Sequence, residues 1–110
     1  MSDPGSADTP RERAQEAFAR AVHRELQAIE THQRAVAMHE SAAGQAEQLA
    51  AMETGEVRQA ALLERAAEEH RRADAARQRA ADARARLRSE GVDPDAPEVP
   101  RVAENSPAHQ

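Results

Sequence analysis

The chain has 110 residues, a net charge of −5 and no cysteine, which leaves room for one domain and excludes disulfides, thiolate metal sites and cysteine nucleophiles. Of its apolar residues 27 are alanine and only 16 are larger, too little bulk to enclose a globular core or a substrate pocket. All 15 basic residues are arginine; with the alanine excess this points to the codon bias of a GC-rich bacterial genome.

Residues 1–9 carry Pro4 and Gly5 among small polar and acidic side chains and are expected to be disordered. They show no charged-then-apolar signal sequence, and no run approaches 18 apolar residues, so a cytoplasmic protein without a membrane span is expected. Helix starts at Thr9-Pro10-Arg11-Glu12. There Thr9 can cap a free backbone N–H, Pro10 suits the first helical position, and Glu12 can complete a capping box.

From Pro10 to Pro94 there is no internal proline and only Gly44, Gly55 and Gly91 interrupt a stretch written in helix formers. The one plausible break is Glu53-Thr54-Gly55-Glu56, at the midpoint. Two readings compete. In an antiparallel two-helix hairpin, Gly55 ends a helix over 10–53 and a short turn starts a second over 56–90. In the other, one helix of about 80 residues runs about 120 Å and pairs only with another chain. The midpoint position of Thr-Gly favours the hairpin, an all-α, Ala-rich coiled coil.

The first helix repeats every seven residues. Val22, Ile29, Val36, Ala43 and Ala50 form one row; Ala21, Ala28, Ala35, Ala42 and Leu49 lie beside it; Phe18, Glu25, His32, His39 and Ala46 form the third. The second helix continues with Ala66, Ala73, Ala80 and Leu87, joined by Leu62, Leu63, Ala76 and Ala83. A strict seven-residue repeat implies a left-handed supercoil, and an alanine seam a close approach of the two backbones. If the turn centres between Thr54 and Gly55, facing positions sum to about 109. That register sets Glu25 against Arg84, His32 against Arg77 and His39 against His70, so that polar layers alternate with apolar ones. Gly91, after two arginines in the last turn, suits a left-handed cap, and the Pro-rich acidic residues 91–110 are expected to be disordered.

No phosphate loop, His-Glu-x-x-His or nucleophile elbow is present, and no enzymatic activity or cofactor is expected. His39 and His70, with Asp74 one turn on, could hold Zn²⁺ or a similar ion; the plainer reading is that they fix register within a narrow seam. Two imidazoles so placed would repel when protonated, which would make the fold most stable above about pH 6.5. Arg58, Arg65, Arg72, Arg79 and Arg86 form a row beside the seam that could bind nucleic acid or another polyanion. The alternative is that these arginines bridge to neighbouring acids while their stems cover apolar surface. The apolar face is mostly alanine and offers little to insert into a membrane.

Glu30-x-His32-x-Arg34-Ala35, His39-Glu40-x-Ala42-Ala43, a glycine-marked turn and Glu69-His70-Arg71-Arg72-Ala73 together resemble small Ala-, Arg- and His-rich helical-hairpin proteins of GC-rich bacterial genomes. The likeness covers about residues 20–85 and departs at Ala43-Gly44-Gln45, where another histidine would fit the pattern. It implies a helical hairpin and no activity.

A thin hairpin buries little apolar area against the entropy of ordering. Phe18, Leu26, Met38, Met52 and Leu62 are more than one alanine seam can cover. The expected function is therefore structural: a non-catalytic protein that associates with itself through Phe18, Val22, Leu26, Ile29, Val36, Leu62 and Leu63, as a dimer forming a four-helix bundle. A polyanion-binding module and a metal-binding bundle are the alternatives.

Overall fold

The computed structural model describes residues 9–96, and these form an antiparallel helical hairpin: α1, Pro10–Met52, and α2, Glu56–Ser89. Among the described residues there is no strand, and no helix is long and apolar enough to cross a membrane. The sequence signals at the ends hold. Thr9 Oγ1 accepts from the Glu12 N–H at 3.0 Å and the Thr9 N–H donates to Glu12 Oε1 at 2.8 Å, with Pro10 in the first turn. At the far end Gly91 has φ +82°. Its N–H donates to the Arg88 carbonyl and that of Val92 to the Leu87 carbonyl, while Val92 packs against the cluster containing Leu87. That is a Schellman closure with its accompanying apolar contact.

Two expectations need correction. Gly55 does not end α1; it has φ −82° and stands at the N-cap of α2, while Glu53 terminates α1 in extended backbone. The turn is held instead by side chains. Glu53 Oε2 accepts the Gly55 N–H at 3.1 Å, and Gln59 Nε2 reaches back to the Ala50 carbonyl at 2.9 Å. Nor do residues 91–96 behave as a loose tail. Past Gly91 the chain doubles back, Val92 packs, as Val22 and Leu26 do, against the cluster of Ile29, Ala83 and Leu87, and Asp95 pairs with Arg84 and Arg88 at 3.5 and 3.3 Å. The expectations for residues 1–8 and 97–110 lie outside the described residues.

The seam is alanine. Among the described residues ten apolar ones are buried, and eight of them are Ala43, Ala46, Ala50, Ala66, Ala73, Ala76, Ala80 and Ala83; only Ile29 and Leu87 are larger. Each alanine in place of leucine removes three carbons from the interface, at about 0.8 kcal/mol per buried CH₂, so the seam gains closeness of backbone rather than bulk. The register falls within two residues of the sequence reading. The facing pairs 39–69, 50–59, 40–70 and 25–86 sum to 108, 109, 110 and 111. Because α1 has 43 residues and α2 has 34, the start of α1 outruns its partner, and every residue from Thr9 to Ala21 is exposed.

The two glycines at the helix ends are not equivalent. Gly91→Ala forces an alanine into the left-handed region and should destabilise the hairpin by about 1–2 kcal/mol. Gly55 has a φ that alanine adopts freely, and an added Cβ would meet only the movable carboxylate of Glu53. Gly55→Ala should therefore leave the melting temperature level or raised, whereas Gly91→Ala lowers it by at least about 4 °C. Thermal melts of the two variants check this.

Candidate functional site

The two flanks of the seam differ. On one, the row Leu26, Gln33, Glu40 and Glu47 of α1 runs beside Leu63, His70, Arg77 and Arg84 of α2, and acids meet bases across it. Glu40 binds Arg77 and lies 3.1 Å from His70 Nδ1, and Glu47 Oε2 lies 3.1 Å from His70 Nε2. With a carboxylate at each ring nitrogen, His70 donates from both, which is the imidazolium form. The hydrogen bond to Glu47, joined by Glu40, holds the His70 pKa above its ordinary value; bonding to Arg77 keeps the Glu40 carboxyl below its own.

Within the seam, His39 Nδ1 lies 2.6 Å from Glu69 Oε1, and Glu69 is the only charged residue buried among the described residues. His39 therefore does not face His70, as the expected register had it. A step of one residue turns a side chain by 100°, which takes His70 off the seam to the flank and puts Glu69 in its place. The Glu25–Arg84 and His32–Arg77 pairs change likewise. Glu25 meets Arg86 at 2.6 Å, Arg77 goes to Glu40, and Arg84 goes to Asp95.

The metal candidates are consequently not brought together. His39 is held by Glu69, His70 by Glu40 and Glu47, and Asp74 points away to bind Arg77 at 2.7 Å. Among the described residues no group of three or more His, Cys, Asp or Glu is placed to hold a metal ion.

On the other flank the row Ala21, Ala28, Ala35, Ala42 and Leu49 runs beside Arg58, Arg65, Arg72, Arg79 and Arg86, all five arginines exposed. Arg58 approaches Glu53 at 3.9 Å, Arg72 pairs with Glu68 and Glu69, and Arg86 pairs with Glu25. Arg65 and Arg79 have no acidic partner among the described residues. Near the turn, Ala42, Gln45, Ala46, Leu49, Leu62 and Arg65 line one shallow groove.

The residues expected to self-associate divide three ways. Ile29 is spent inside the chain's own seam, in a cluster with Ala83 and Leu87. Val22, Leu26, Val36 and Leu62 are half-buried. Phe18 and Leu63 are about half exposed, as is Leu49, and Met38, Met52 and Val57 more so. The sequence reading missed Glu69, although its place seven residues after Leu62 and seven before Ala76, in the row that runs on to Ala83, marked it as a seam position.

No family model, curated protein or solved structure matches this chain.

The pH dependence should run opposite to repulsion between two seam histidines. His70 is raised in the folded state, so its contribution is fully present below about pH 6.5 and is lost as the pH rises through the folded value. Glu40 is lowered, so its contribution is present above about pH 4.5 and is lost as the pH falls further. The melting temperature should decline from pH 6 toward pH 8. His70→Gln should flatten that decline, while His23→Gln, at an exposed position, should leave it intact.

Proposed function

We propose that the protein is a non-catalytic interaction module whose hairpin self-associates. One observation carries this reading: among the described residues the buried seam is mostly alanine, while several of the large apolar side chains stand outside it. Phe18, Met38, Leu49, Met52, Val57 and Leu63 are all exposed, at 47–84 %, while eight of the ten buried apolar residues are alanine. A hairpin with so thin a seam gains little from its own fold, and the start of α1 outruns α2 with one large apolar side chain, Phe18, exposed on it. A second copy meeting this stretch, with Phe18 at the contact, would bury apolar surface that the single chain leaves wet.

Light scattering and circular dichroism over about a hundredfold range of concentration test the proposal. Helicity and melting temperature should rise with concentration. Phe18→Ser should weaken association at least about tenfold and leave the hairpin helical at high concentration. A monomer whose melting temperature is independent of concentration overturns it.

A further inference from the structure

The flank carrying the arginine row is built differently from its counterpart, and neither the seam nor self-association through Phe18 accounts for it. Where Glu40, Glu47, His70 and Arg77 close one side of the hairpin with ion pairs, the other has a shallow groove near the turn, lined by Ala42, Leu49, Leu62 and Arg65, from which the row Ala35, Ala28 and Ala21 continues beside the remaining arginines. The rim is one-sided. Across the groove α1 offers Thr31, Met38, Gln45 and Met52, none of them charged and all exposed. Arg58 and Arg86 stand 28 residues apart, about 42 Å of helix with a cation about every 10.5 Å.

We propose that this groove docks a third helix, supplied by a different protein, which is amphipathic and carries acidic residues every seven positions along one edge of its apolar stripe. Its stripe would lie on the alanine and leucine floor and its acids would meet the arginine row, in register because both repeat every seven residues. Arg65 and Arg79, with no acid of their own among the described residues, are the contacts the partner would complete.

Charge selects this occupant over two others. A second copy of the chain cannot supply the acidic edge: within the helices the only acids seven residues apart are Glu40 and Glu47, and Arg77 and His70 already hold them. A nucleic acid would face an apolar floor, with Glu53, Glu68 and Glu69 interrupting the cations and no aromatic side chain in the groove for stacking.

The probe is a labelled synthetic helix of about 28 residues, with a Leu/Ala stripe and glutamate at every seventh position beside it, titrated with the full chain. Fluorescence anisotropy should report binding that weakens with salt. Arg65→Ala with Arg79→Ala should weaken it about tenfold, and Leu49→Asp, at a half-exposed position, by at least as much, each variant remaining helical by circular dichroism. Phe18→Ser should bind the probe as the parent does, which separates this groove from self-association. The inference is overturned if the probe binds no better than a scrambled peptide of equal charge, if a DNA duplex of equal length binds as tightly, or if Phe18→Ser abolishes binding.

Discussion

Alanine against alanine is the contact from which the rest of this molecule follows. A methyl group lets two backbones run close together, but one methyl layer fits another almost as well after a slip as before it. Shape therefore cannot choose the register, and polar groups do. His39 with Glu69 inside the seam, His70 between Glu40 and Glu47, Arg77 on Glu40, and Arg86 on Glu25 each connect one helix to the other at a single alignment. Individually such pairs contribute little at a surface. Their use is selection, because a slipped hairpin would strand Glu69 among methyl groups without its imidazole.

What the sequence made legible was whatever depends on backbone grammar. The capping box at Thr9 and the glycine closure at Gly91 each rest on a few adjacent residues, and each forms as read. The midpoint break and the register also emerge, since antiparallel pairing about a short turn is fixed once its centre is known. Side-chain partners were legible only to within a turn of helix. Arginine is long enough to choose between acids one turn apart, as Arg77 does in taking Glu40, and numbering alone does not say which. The turn was misread for a related reason. The sequence makes Gly55 the end of the first helix, yet Glu53 and Gln59 supply hydrogen bonds that let α1 end in extended backbone before it.

The two flanks show how one repeat yields two surfaces. Both lie beside the same seam and both repeat every seven residues. One places acids opposite bases and is complete within the chain. Its counterpart places arginines opposite alanines and is complete only in part. Since no lysine occurs anywhere, every one of these cations is a planar fork suited to a carboxylate rather than a mobile point charge.

The hydrogen bond from Gln59 to the Ala50 carbonyl also bears on how the hairpin closes. It spans 9 residues, whereas the contact between Glu25 and Arg86 spans 61. Tying the longer loop first would cost about 1.7 kcal/mol more in chain entropy. Closure thus favours a start at the turn, with the layers adding in order toward the open end, as a zipper does. In that sequence Gln59 acts as the stop of the zipper. Ile29 and Leu87, the only large buried side chains among the described residues, come together late, near the open end, and lock what the alanines have aligned.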